Sequence, residues 1–294
     1  MPTHEAPLSE PPKPASPPRQ KAPADSIDCH FHIFGPVEQY PLSPGRGYTP
    51  SPQANLETYV TMAETLGLER MVIVNPTPYG TDHRCTIDCL KKFGPARARG
   101  VAVINRTFSK EAIRDLAANG FCAARVNSVN TNTTPVSEIE WVAKNIAALG
   151  WHLELYVEGR DLPELADTIL SLPVPAVVID HMGRIPSDRG INCPEFQTLL
   201  RLLDSGKCWI KLCGYRSSVE GPPYADLLAP ARKIIQTAPG RCVWGTDWPH
   251  PRRSGDLLPD DGKLLDLLYD WAPNDRDLHR ILVENPSKLY RFAV

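Results

Sequence analysis

Short β-branched runs alternate with stretches of helical period along this chain, and that alternation limits the fold more than any other feature. Strands are predicted over residues 27–34, 71–74, 100–104, 123–126, 153–157, 176–179, 209–212 and 242–244. Helices are predicted between and after them, over 55–66, 86–93, 110–118, 137–149, 162–170, 195–204, 224–238 and 262–271. A last helix is expected over 276–290, broken at Pro286. Several of these helices end in Gly or precede Pro, as stop signals do. Strict β-then-α order implies parallel strands joined by right-handed crossovers. Eight such units in 294 residues predict a closed (β/α)8 TIM barrel, α/β in class and a single domain over 26–294. No G-x-G-x-x-G or P-loop follows any strand, which weakens a nucleotide-binding alternative.

Composition narrows the function classes. A net charge of −2 with charges of mixed sign, and a pI near 6.5, argue against a nucleic-acid surface. No apolar run approaches the roughly 18 residues that span a bilayer, so the expectation is a cytoplasmic protein with no membrane partner. Residues 1–25 are Pro-rich and lack a signal-peptide core, which predicts a disordered, solvated leader. Eight cysteines raise the question of disulfides or zinc. No C-x-x-C pair exists and most of the thiols fall in predicted strands, so free buried thiols are expected.

The ends of the predicted strands are unusually polar. Strand 1 carries Asp28, His30 and His32 at a spacing of two, which in a regular strand puts all three on one face opposite Ile27, Cys29, Phe31 and Ile33. Thr77 follows strand 2, Arg125 ends strand 4, and Glu154 and Tyr156 lie in strand 5. Asp180 and His181 end strand 6, Tyr215 and Arg216 follow strand 7, and Asp247 ends strand 8 with His250 just beyond. The long loop over 35–52 follows the His-x-His strand and offers Arg46 and Tyr48 as substrate contacts. Barrel closure aims all these ends into one cavity, where so many polar groups need a ligand to satisfy them.

Three motifs carry a family resemblance: Asp28-Cys29-His30-Phe31-His32-Ile33-Phe34-Gly35-Pro36, Ile179-Asp180-His181-Met182-Gly183-Arg184, and Trp244-Gly245-Thr246-Asp247-Trp248-Pro249-His250-Pro251. They resemble the amidohydrolase superfamily, and within it the 2-pyrone-4,6-dicarboxylate lactonase branch. The resemblance implies metal-independent hydrolysis of a small carboxylated lactone. Asp247 would activate water, and His30, His32 and His181 would surround the lactone carbonyl. Arg125 and Arg216 would hold carboxylates, with Tyr156 and Thr77 as further contacts. One departure bears on substrate: relatives carry a basic pair after the strand-4 arginine, where this chain reads Val129-Asn130-Thr131-Asn132. The expectation is a substrate with fewer carboxylates than a pyrone dicarboxylate.

Two other readings compete. His30, His32 and Asp247 could hold Zn2+ or Mn2+ in a mononuclear hydrolase or decarboxylase. Against this, the resemblance puts Arg125 and Tyr156 where metal-binding relatives place ligands, and a guanidinium repels a dication. The expectation is therefore no cofactor. The third reading is a non-catalytic binder of a carboxylated ligand.

Overall fold

The structure is a computed structural model that describes residues 6–130 and 132–293. Eight strands, β1 (Ile27–Phe31), β2 (Arg70–Val74), β3 (Ala98–Ala102), β4 (Phe121–Asn127), β5 (His152–Tyr156), β6 (Val177–Ile179), β7 (Cys208–Leu212) and β8 (Cys242–Trp244), pair in sequence order, every pair parallel. The ring closes just beyond the strands. The Asp247 N–H donates to His30 O and the His32 N–H to Trp248 O, each at 2.8 Å. Helices α1 (Leu56–Leu66), α2 (Arg84–Phe93), α3 (Lys110–Ala118), α4 (Ile139–Ala147), α5 (Leu162–Ser171), α6 (Pro194–Asp204), α7 (Leu228–Thr237) and α8 (Asp261–Trp271) form the outer layer. The barrel expectation holds.

Local chemistry sets the helix ends. Asn55 caps α1 by accepting from the Thr58 N–H, and Gly67 closes it in the left-handed region at φ 82°. Apolar residues divide between a cluster under the helices and a second cluster inside the barrel. The inner one joins Ile27, Cys29, Val74, Val178 and Val243 to Tyr290 and Phe292, which plug the base. The final helix does not break at Pro286. Helix α9 (Asp275–His279) runs through a wide π-turn, Arg280–Glu284, into α10 (Asn285–Tyr290), with Pro286 in the first turn of α10 where its missing N–H is tolerated.

Two expectations are corrected. The leader is largely exposed, as expected, but over its described part it is tied down: residues 6–25 lie along the barrel as an extended strap. Ser9 N donates to Thr49 O, Ser16 N to Asp260 Oδ1, Arg19 N to Asp266 Oδ1 and Ala22 N to Leu66 O, at 2.7–2.9 Å. Proline removes many of its donors, and several of the remaining N–H groups find partners on the barrel and its loops. The second correction is in β1. Asp28 pairs with Met71 but Phe31 with Ile73, so an extra residue bulges between them and the alternation inverts. Ile27 and Cys29 face the barrel interior, while Asp28 reaches outward to the Tyr59 hydroxyl on α1 at 3.2 Å. His30 and His32 face inward after the bulge, and Phe31 stacks on Tyr59. All eight cysteines are free and buried, as the sequence predicts. No helix is long and apolar enough to cross a membrane.

Candidate active site

The seam between β1 and β8 positions the central carboxylate. A Cβ on Gly245 would lie 2.7 Å from both the N and the Cβ of His30, so only glycine lets the two strands approach this closely. Asp28 locks the seam from behind. Its carboxylate accepts from the His30 and Thr246 N–H groups at 3.0 Å and from Thr246 Oγ1 at 2.8 Å. The chain then turns through a positive φ of 61° at Asp247, which sends that side chain into the mouth of the barrel.

The two oxygens of Asp247 have different surroundings. Oδ2 accepts from the Tyr215 hydroxyl and from Arg216 Nε, both at 2.5 Å. Oδ1 faces His30 Nε2 and His32 Nε2 at 3.6 Å each and has no hydrogen-bond partner among the described residues. Burial pushes this carboxyl up, but Arg216, then His181, His32 and the Tyr215 hydroxyl, outweigh it and hold it well below the usual carboxylate range.

Burial makes the three imidazoles neutral. It drives His30 and His181 far below the ordinary histidine value, and His32 down to about 4 against the pull of Asp247. Their tautomers follow from their partners. His32 Nδ1 lies 2.9 Å from Val74 O, which can only accept, so Nε2 is a bare lone pair. His30 Nδ1 lies 3.1 Å from the ammonium of Lys211, which can only donate, so its hydrogen sits on Nε2. His181 Nε2 lies 3.5 Å from Arg125 Nη2, which leaves the hydrogen on Nδ1, buried and without a partner.

Arg125 projects from β4, tied by Nε to Asp180 Oδ2 at 2.7 Å and lying 4.7 Å above the Tyr156 ring. The cavity these groups surround spans about 330 Å3 out to solvent. It is a small polar slot. A larger cleft, about 1500 Å3 out to solvent, lies beside the 35–52 loop and α2, lined by none of these groups.

Among the predicted residues, Asp247, His32, His181, Arg125, Arg216 and Tyr156 line the slot, as do Tyr48 and Thr77. His30 sits just beneath it, without exposed surface. Two predicted contacts do not reach it. Arg46 is spent on Thr49 Oγ1 and Ser43 O, at 3.1 and 3.3 Å. His250 turns away at φ 60° and is buried with Nε2 3.0 Å from Asp261 Oδ1, its ring against Tyr215. Sequence reasoning missed Arg252, which lines the slot, is exposed, and makes no hydrogen bond or ion pair among the described residues. It supplies a cation that the strand-4 loop lacks; Asn130 of that loop lines the slot and Thr131 lies outside the described residues. Lys211 was missed too, although a lysine inside the apolar run Cys208-Trp209-Ile210-Lys211-Leu212 is itself a signal.

Three side-chain groups are close enough to share a cation: His30, His32 and Asp247; His30, Asp180 and His181; His181, Cys213 and Asp247. Their donors fit a metal poorly. His30 presents an N–H to the first group and an ammonium lies behind it, while burial pushes the Cys213 thiol far up, away from thiolate.

Comparison with known proteins shows the family. A family model described as amidohydrolase matches residues 27–292. The chain belongs to the amidohydrolase family. It is 38% identical to a 2-pyrone-4,6-dicarboxylate hydrolase of Comamonas testosteroni, over 94% of this chain and 93% of the relative. It is 34% identical to a 4-sulfomuconolactone hydrolase of Hydrogenophaga intermedia, over 91% and 89% respectively. A solved structure from Agrobacterium tumefaciens, in apo form, superposes with a TM-score of 0.85 at 31% identity, over 94% of this chain and 99% of that one.

Proposed function

We propose that this amidohydrolase opens the ring of a carboxylated lactone or pyrone by adding water to its carbonyl, with no metal ion in the step. The observation that carries the proposal is Asp247 Oδ1, buried, facing two ring nitrogens at 3.6 Å and bonded to neither. Such spacing suits one water with polar partners on several sides. That water donates to Asp247 Oδ1 and to the His32 Nε2 lone pair, and accepts from the His30 Nε2–H. One oxygen lone pair remains for the carbonyl carbon.

As the new C–O bond forms, the proton passes to Asp247 and charge moves to the carbonyl oxygen. Arg125, on the slot, supplies N–H donors for that oxyanion, and the Nδ1–H of His181, which has no other partner, is available to join it. Collapse breaks the ring C–O bond, the departing oxygen takes the proton from Asp247, and a ring-opened acid leaves. Arg125 and Arg216 also match a ring carboxylate, which an arginine fork binds in bidentate fashion. Tyr156, Tyr48 and Thr77 enclose the ring. Arg216, 2.5 Å from Asp247, already neutralises the carboxylate a dication would need.

The test is a panel of mono- and dicarboxylated lactones and pyrones, followed by ultraviolet absorbance, with elemental analysis on the same sample. Ring opening that survives chelation is expected, with monocarboxylated substrates opened at least as fast as the dicarboxylate. Asp247→Asn should lower kcat by about 10²- to 10⁴-fold while ligand still binds. Stoichiometric metal whose removal abolishes turnover, or full turnover in Asp247→Asn, overturns the proposal.

A further inference from the structure

Beneath the slot lies a charged layer that touches neither substrate nor solvent. Lys211 Nζ sits 2.8 Å from Glu154 Oε2, 3.2 Å from Asp180 Oδ1 and 3.1 Å from His30 Nδ1, all with fully buried side chains. Glu154 in turn accepts from the Tyr290 hydroxyl at 2.9 Å, and Asp180 from Arg125 at 2.7 Å. An ammonium has three N–H groups and no lone pair. Two carboxylates at ion-pair distance keep the lysine charged, and its hydrogen bond goes to His30. The competing acceptor for a hydrogen on His30 Nδ1, Asp180 Oδ1, is 3.7 Å away, beyond hydrogen-bond reach.

We infer that Lys211 is a positioning residue that holds His30 as an N–H donor at Nε2, and so makes the His30–His32–Asp247 triangle a seat for water instead of a metal ion. A cation in that triangle needs a lone pair from every member. His32 has the form of a ligand, its far nitrogen donating to a backbone carbonyl, the arrangement in which histidines usually bind metals. His30 has the reverse form. A water molecule needs this mixture of one donor and two acceptors, and a zinc ion is excluded by it. The inference takes the identity of the reaction from the lactone-hydrolase reading, but the tautomer does not depend on that reading.

Two measurements test it on the full chain after metal stripping. The first is nitrogen-15 imidazole NMR, with His30 assigned by the loss of its signals in His30→Asn. It should show hydrogen on Nε2 of His30 and on Nδ1 of His32. The second is zinc titration by calorimetry of Lys211→Met/Glu154→Gln, which removes one charge of each sign and leaves Asp180 paired with Arg125. With no ammonium donating to Nδ1, His30 is free to carry its hydrogen there, with Asp180 Oδ1 the nearest acceptor after a small shift from 3.7 Å, and to offer Nε2 as a ligand. Zinc affinity should rise by about 10- to 100-fold over the unaltered protein, and His30→Asn in that background should abolish the gain. Hydrogen on Nδ1 of His30 in the unaltered protein, or zinc bound through His30 equally well with and without Lys211, overturns the inference. If the double variant does not fold, the NMR result alone decides. A chain with the expected tautomers that opens no lactone leaves the role of Lys211 standing and refutes only the reaction.

Discussion

Replacing Arg216 by Met removes the positive charge that sits 2.5 Å from Asp247 Oδ2 while keeping most of the side-chain volume. A charge-assisted hydrogen bond to a largely buried guanidinium contributes about 1.5–3 kcal/mol. At about 1.4 kcal/mol per pH unit, its loss should move the acid limb of kcat/KM upward by about 1–2 pH units. In the unaltered protein Asp247 is held well below the usual carboxylate range, so kcat/KM should stay flat down to about pH 4. The assay is initial-rate ring opening from pH 8 down through the acid limb of each protein, to the lowest pH at which both stay folded, at constant ionic strength. KM for a carboxylated substrate should rise as well, which is why the position of the limb, and not the absolute rate, is the readout. The same pairing stabilises the fold above the unfolded carboxyl value near 4, and that contribution is lost as pH falls toward the lower folded value. The stability gap between the two proteins should therefore narrow in acid. An acid limb at the same pH in both proteins, or one already near pH 6 in the unaltered protein, would refute the assignment of Arg216 as the group that restrains the base.

Two further outcomes follow from the geometry. Arg252→Ala should raise KM by about 2- to 5-fold for lactones with a second anionic substituent, leave kcat unchanged, and lose its effect in high salt; equal KM values for singly and doubly charged substrates in both proteins would count against a role at the mouth of the slot. Gly245→Ala forces a methyl group to within 2.7 Å of His30, so melting should report a destabilisation of about 1–3 kcal/mol and kcat should fall at least tenfold, whereas an unchanged melting temperature and kcat would show that the seam tolerates a side chain.

The barrel was legible because each βα unit is a local pattern. Strand β7, predicted over 209–212, spans Cys208–Leu212, and α3 spans Lys110–Ala118 as predicted. The slot was largely legible too, since parallel strands bring their C-terminal ends together wherever they lie in sequence. What stayed hidden depends on contacts between distant segments. The reversal at Asp28 needs the close approach of β8, from which Thr246 donates to Asp28 across 218 positions. The same period-two pattern would read identically without that bulge. His250 belongs to a recognisable motif, yet a positive φ directs it to Asp261 and away from the slot. The leader's composition correctly excludes a core, but it carries no information about which barrel carbonyls and carboxylates its few N–H groups will meet.

Histidine spacing shows the same limit at the level of protons. Residues two apart on a strand share a face, which is why His30 and His32 could be paired from the sequence and why both point at one oxygen of Asp247. Spacing says nothing about which nitrogen of each ring carries the hydrogen. For His32 that is decided by a backbone carbonyl on the neighbouring strand, an acceptor any residue at position 74 would present. For His30 it is decided by one side chain 181 positions away. The pair of imidazoles can therefore be conserved in shape while its chemistry changes with Lys211 alone. On the inference drawn above, of two chains carrying the same His-x-His strand and the same strand-8 aspartate, the one with a buried ammonium behind the first ring would seat water, and the one with an acceptor there would present a lone pair to a metal ion.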